Sequence, residues 1–411
     1  MRIVLFEDDR VSQLFPLTLT RPAYTINCGS VTLLDWASEY GSCVTGHVRD
    51  YLQSWQLAEC PVFCEQPTGS QTTCWINARM APTAGNLFAL TQLINTSDCG
   101  YAMVGDQLAA AILPPAADAM VQQETDKVSS VETIIHQLNL PKLPLQLQLF
   151  EYPHQIVEYH LQNIHDHLSR RIETGQLPEI RDGVFSASPL SDHVVTDSSA
   201  GPIVIEQNVT VRPLACLNGP IYLAANSRVN EHTMLKNGVV VGEYAKVGGE
   251  IGASIIEAYS NKCHYGYLGH SYLGQWVNLG AGTSNSNLKN SYGNVRVEVE
   301  GQSINTGMQF MGCVIGDYTK SAINTSIFTG KLIGACSMLY GCVTTNVPSF
   351  VNYARSFGQI TEMNPAIVAL TQKRAYDRRG IPQQPWQIEL IHAAYERVSQ
   401  DRQLADQPLA L

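Results

Sequence analysis

The sequence predicts two unlike domains in one chain. An α/β layer domain fills residues 1–150 and a coil of short parallel strands fills 186–350, with a linker helix in 151–185 between them and a helical tail over 351–411. Three observations carry this prediction. A chain of 411 residues exceeds what one ordinary core organises. From Ile205 the sequence falls into blocks of six, IEQNVT, VRPLAC, LNGPIY, LAANSR, VNEHTM, LKNGVV, VGEYAK and VGGEIG, each opening on Ile, Leu or Val. After Pro348 the sixes stop and helix-like segments follow.

A six-residue period suits neither a helix, which repeats every three or four residues, nor an alternating strand, which repeats every two. It suits short strands separated by turns and coiled so that one aliphatic residue per block points inward. The fifth place is small or β-branched in all eight blocks, from Val209 to Ile251. Three faces then close a prism whose stacked coils lie ~4.8 Å apart. The frame slips near Ala253, resumes at Leu273, breaks for an insertion at 284–308, and returns from Ile315.

Residues 1–150 open on the strand-like RIVLF and alternate apolar runs with helical segments, an α/β pattern. YAMVGDQL reads as a buried strand ending at Gly105-Asp106, and strand ends are where open α/β sheets bind ligands. Between the halves, apolar residues at 157, 161, 164, 168 and 172 mark an amphipathic helix, with histidines 160, 165 and 167 expected on its solvated flanks. In the tail, two helices are separated by Gly380 and Pro382, and Lys373, Arg374, Arg378 and Arg379 form a basic run. That run is either a solvated last turn favoured by the helix dipole or a contact for coenzyme A phosphates.

Composition, with 45% apolar and 15% charged residues, is that of a globular protein. A net charge of −10 argues against general binding to nucleic acid or anionic membrane. MRIVLFEDD is no signal peptide, and the longest apolar stretch breaks at Pro114-Pro115, so a cytoplasmic protein without membrane insertion is expected. Eleven irregularly spaced cysteines read as reduced thiols, while Cys60, Cys64 and Cys74 carry only a weak zinc signal.

The stretch 261–290 is rich in neutral polar side chains around a few histidines and tight glycine turns. His264-Tyr-Gly-Tyr267-Leu-Gly, then Asn278-Leu-Gly-Ala-Gly-Thr, then Asn287 follow the spacing of the acetyltransferase half of the GlmU-like family. That family joins N-acetylglucosamine-1-phosphate uridylyltransferase to glucosamine-1-phosphate acetyltransferase. The hexads likewise resemble its left-handed parallel β-helix, and the first domain its nucleotidyltransferase-like, Rossmann-like α/β domain.

The resemblance implies His264 as general base, Glu250 as its support, and Tyr267, Asn278 and Asn287 as ligands of an amino-sugar phosphate. It also implies Ala281 and Gly341 as contacts of acetyl-CoA, and a homotrimer. The chemistry fits, because an amine attacks a thioester only as the free base, and a neutral imidazole accepts its proton near pH 7. Backbone N–H groups of Gly-Ala-Gly turns can meet the oxyanion.

Two departures stand out. The family's lysine two residues after the glutamate is Gly252 here, and its tyrosine after the second asparagine is Leu288. Lys262, Lys289 and Arg296 are the sequence-level substitutes for a phosphate ligand. In the first domain the family's glycine-rich nucleotide loop is absent. Arg10 and Arg21 remain as cations for the phosphates of a nucleoside triphosphate, Asp106 as the ligand for Mg²⁺, and the TAGN turn at 83–86 as another approach for the nucleotide. Two rival readings are a zinc site at His264 and His270, and a silent β-helix that trimerises a sugar-nucleotide-binding domain.

Overall fold

A computed structural model describes residues 1–41, 43–60, 72–124, 130–404 and 407–408. They form two units, one of residues 1–14 and 21–151, the other of 15–20 and 152–411.

The first unit is built on β1 (Arg2–Phe6), β2 (Cys43–His47), β3 (Thr73–Asn77), β4 (Gly100–Val104) and β5 (Gln107–Leu113). The sheet order is β2-β1-β3-β5-β4, with β1 parallel to both β2 and β3, and β5 antiparallel to β3 and β4. β1, β3 and β5 are buried along their whole length, as their continuous apolar runs require. The helices are α1 (Leu33–Tyr40), α2 (Gln53–Glu59), α3 (Ala84–Thr96), α4 (Pro115–Glu124) and α5 (Ser130–Gln137). Thr32 starts α1 with a capping box to Asp35.

The second unit is a parallel β-solenoid, and its register explains the hexads. Thr210 pairs with Arg228 and Arg228 with Lys246, so each of these coils takes three of the six-residue blocks. The next steps, Lys246 to Asn261 and Asn261 to Asn278, are both shorter, which is the frame slip seen in the sequence. Asn278 then pairs with Lys320, a far longer step, because the insertion leaves the coil as an antiparallel hairpin of Arg296–Val299 and Gln302–Asn305. At the slip the buried hydroxyls of Ser254 and Ser271 satisfy corner backbone, Ser254 Oγ accepting from the Ser271 N–H at 3.0 Å.

Block-opening residues Ile205, Leu217, Leu223, Val229, Leu235, Val241 and Val247 are all buried in one core with Ala215, Ile221, Val239, Ala245 and Ile251 from the fifth places. Burying each large aliphatic side chain contributes about 1.5–3 kcal/mol. The fourth place makes the corners. Asn208, Leu214, Asn226, His232, Gly238 and Tyr244 all have left-handed φ, between 56° and 88°. Asparagine and glycine adopt that conformation readily, whereas leucine and tyrosine are held there by the packed coil.

The helix expected as a linker, α6 (His154–Gly175), packs on the solenoid strands and belongs to the second unit. His160 and His167 are buried, not solvated, whereas His165 is exposed as expected. The helix turns a face wider than its aliphatic stripe toward the strands. Residues 15–20 also join the second unit, with Leu19 in the cluster of Ala335, Phe350 and Ile391 from the end of the chain. That cluster takes in the tail helices α7 (Pro365–Asp377) and α8 (Pro385–Arg397). The described cysteines are free thiols except Cys43, which is disulfide-bonded, against the expectation of thiols throughout.

Burial of His160 has a measurable consequence. Its Nε2 lies 3.2 Å from the Gly238 carbonyl, and desolvation pushes its pKa down to about 4, with His167 and His270 adding repulsion. The unfolded chain takes up this proton below pH 6.5 while the folded chain resists until about pH 4. Stability is therefore full above pH 6.5 and falls by on the order of 3 kcal/mol toward pH 4 from this group. Urea denaturation at pH 4.5 and 7 should show a smaller difference in His160→Gln than in the parent; an equal difference would remove His160 as the cause.

Candidate functional site

The insertion and the coils beside it bring together Tyr267, His270 and Asn287. Tyr267 opens the strand Tyr267–Gly269, which pairs with Glu250–Ile256 and sets Tyr267 beside Glu250. Asn287 Nδ2 donates to the Tyr267 hydroxyl at 2.8 Å and lies 2.9 Å from His270 Nδ1. With the amide as donor, Nδ1 accepts and the ring proton sits on Nε2. Phe310, from the end of the insertion, stacks on the imidazole at 5.4 Å between centroids. Burial lowers the His270 pKa, which keeps the ring neutral at pH 7. Burial, then the Glu250 charge, raises that of Tyr267, so its hydroxyl keeps its proton. The cluster offers a phenol, an amide and a neutral N–H, suited to sugar hydroxyls or a developing oxyanion.

Glu250 does not hold His264. Its Oε1 receives the Lys236 ammonium at 2.7 Å, drawn by a full charge on the neighbouring coil. Lys236 is the register partner of Gly252 and lies along it. An ammonium thus reaches the place of the missing lysine from the coil before. None of the three sequence-level substitutes is as available. Lys262 is buried and donates to the carbonyls of Gly248 and His264, Lys289 donates to the Asn294 carbonyl, and Arg296 to Ser303.

His264 is exposed at a solenoid corner, and its imidazole has no hydrogen-bond partner among the described residues. The corner itself is fixed, the Lys262 ammonium donating to the His264 carbonyl at 2.6 Å and the Gly282 N–H to the Tyr265 carbonyl at 3.0 Å. Asn261, Asn278, Lys320 and Met338 are successive register partners. His264, Ala281 and Gly341 each stand three places beyond one of these, so they lie along one edge of the prism. Asn278 lies exposed on the adjoining flat face, apart from the Tyr267–Asn287 pair.

In the first unit, the carboxyl ends of β1 and β3 carry two ion pairs. Glu7, fully buried, receives Arg49 through Nε at 2.8 Å and Nη2 at 3.0 Å. Asp8 receives Arg79 through Nε at 2.8 Å and Nη2 at 2.5 Å, and Asn77 at 2.7 Å. Arg21 is buried as well. The sequence contains this signal, two acids straight after an apolar strand, but not the arginines that meet them. Asp106 is not at the end of a parallel strand. It sits in the tight turn joining antiparallel β4 and β5, its side chain 75% exposed and paired with Arg10 at 2.7 Å. Among the described residues no group of three or more His, Cys, Asp or Glu side chains could hold a metal ion. Cys60 and Cys74 are buried, and Cys64 lies outside the described residues. The TAGN turn is structural: Thr83 caps α3, and Asn86 is buried, donating to the carbonyls of Ala81 and Gln148.

The chain thus carries buried ion pairs at the strand ends of an α/β sheet and, after it in sequence, a hexad solenoid with a polar edge. Residues 3–173 match the family model described as sugar nucleotidyl transferase. Over 148 residues the chain is 30% identical to a bifunctional sugar-1-phosphate nucleotidylyltransferase/acetyltransferase of Sulfurisphaera tokodaii, covering 36% of this chain and 37% of that protein. Over 130 residues it is 39% identical to the bifunctional protein GlmU of Rippkaea orientalis, covering 31% and 24%. Over 164 residues it is 27% identical to an uncharacterized acetyltransferase, YaiX, of Escherichia coli, covering 39% and 71%. The chain thus spans well under half the length of the two bifunctional relatives. Among the described residues no helix is long and apolar enough to cross a membrane.

Proposed function

We propose that this chain is an acetyl-CoA-dependent N-acetyltransferase acting on an amino-sugar phosphate in sugar-nucleotide synthesis for the cell envelope. The observation that carries the reading is the single prism edge shared by His264, Ala281 and Gly341, beside the Tyr267–Asn287 pair. His264 takes the proton of the attacking amine. Tyr267, Asn287 and the Nε2–H of His270 bind sugar hydroxyls, and Lys236 meets the sugar phosphate in place of the absent lysine. Backbone N–H groups around Ala281 meet the thioester oxygen. An exposed His264 without a partner fits a site completed by a second copy, and a cytoplasmic homotrimer is the assembly we expect. Loss of the thioester absorbance of acetyl-CoA on adding glucosamine-1-phosphate tests the transfer, and no loss with any amino-sugar phosphate would leave the solenoid a trimerising support.

The family match over residues 3–173 favours a second activity in the same chain, nucleotidyl transfer from UTP or dTTP to a hexose-1-phosphate. The buried Glu7–Arg49 and Asp8–Arg79 pairs already engage two of the arginines near the strand ends, so turnover is expected to be slow. Pyrophosphate release should be detectable with Mg²⁺ present; none with any nucleoside triphosphate would make the unit a binding domain.

A further inference from the structure

Four cations stand together on the solenoid face next to the His264 edge. Arg228 and Lys246 are direct partners in adjacent parallel strands, and Lys246 is the partner of Asn261. Side chains on such a row stack ~4.8 Å apart. Arg379, just past the end of α7, donates from Nη2 to Asn261 Oδ1 at 3.1 Å. Arg228, Arg378 and Arg379 all act on Lys246, whose pKa is lowered first by burial and then by these charges.

Among the described residues none of the four makes an ion pair. Arg228 Nε is buried without a hydrogen-bond partner. Like charges set directly opposite on neighbouring strands are destabilising, so this row costs free energy unless an anion sits on it. A helix dipole explains arginines at the end of α7, but not Arg228 and Lys246, which belong to the coils.

The arrangement is also held rigidly. Tyr244, Tyr259 and Trp276 stack as a corner ladder at 5.0 and 4.4 Å, and Trp276 packs on Tyr376 at 4.4 Å. Tyr376, in the last turn of α7, also bonds Tyr318 at 3.0 Å. The ladder therefore fixes the end of α7, and with it Arg378 and Arg379, over the strand row.

We propose that Arg228, Lys246, Arg378 and Arg379 form a phosphate-binding site, taking a phosphomonoester or diphosphate whose remaining atoms reach the His264 edge. Asn261, the residue Arg379 touches, stands three places before His264 on the same turn. The choice of ligand rests on the transfer proposed for that edge, where coenzyme A and the sugar substrate both carry phosphate.

Calorimetric titration of the full chain tests this with four probes: inorganic pyrophosphate, coenzyme A, dephospho-coenzyme A and glucosamine-1-phosphate. Arg228→Gln/Lys246→Gln should weaken pyrophosphate binding about tenfold or more, as expected for lost hydrogen bonds to a charged group. Weakening of coenzyme A but not of the dephospho form would assign the site to the 3′-phosphate, and weakening of both to the diphosphate. Weakening of the sugar phosphate alone among the larger ligands would assign it to the acceptor. Equal affinities of parent and variant for all four probes would overturn the site. Weakened pyrophosphate binding in a protein without acyl transfer would keep the site and remove the transferase reading. Should the double variant fail to fold, Lys246→Gln alone carries the same comparison.

Discussion

Replacing His264 with alanine is expected to lower acyl transfer by about 10²–10⁴-fold while leaving the fold intact, the loss usual for a general base. The side chain is exposed, while the backbone of its corner is fixed by Lys262 and Gly282 and is expected to survive truncation. A large loss of kcat with an unchanged urea midpoint is the expected signature. His270→Ala is the informative comparison. That ring is held by Asn287 with its proton on Nε2, so it donates and does not accept at the reacting centre. Its loss should raise KM more than it lowers kcat. The opposite ranking of the two histidines would make His270 the base.

The second large effect belongs to the first unit. Asp8→Ala leaves the Arg79 guanidinium, fully buried, without its carboxylate, and removal of one member of a buried pair costs about 3–5 kcal/mol. The remaining acceptors, the Phe150 carbonyl and Gln107, are neutral. Adding Arg79→Met should recover part of the loss, because an apolar side chain tolerates the site better than an unpaired charge. A single variant as stable as the parent in urea would show that Arg79 finds water or another acid there. Arg10–Asp106 is the contrast. The side chains of that pair are 44% and 75% exposed, and Asp106→Asn should change stability by less than about 1 kcal/mol.

How far the sequence reaches is visible at particular residues. The hexads read correctly because seven of the eight block openers, from Ile205 to Val247, are buried in the solenoid core and the eighth, Val211, packs against it, and the slip and the insertion appear as two shortened coils followed by one lengthened by the hairpin. The corners were not legible, since Leu214 and Tyr244 take left-handed φ that neither prefers, and only the stacked coil imposes it. Side chains on neighbouring coils meet at spacings set by the register and not by any motif. That is why Lys236 escaped as the partner of Glu250, and why Arg228 and Lys246 were not joined to Arg379. His160 and His167 were misplaced because a helix packed on strands buries polar positions beside its apolar stripe. Asp106 failed for a topological reason: a sequence shows a strand end but not whether the next strand runs parallel.

Mass spectrometry of purified protein incubated with acetyl-CoA and a panel of amino-sugar phosphates tests the central claim most directly. The account predicts one N-acetylated sugar phosphate formed by the parent and nearly absent with His264→Ala. No acetylated product from any member of the panel, or equal product from parent and variant, would contradict it.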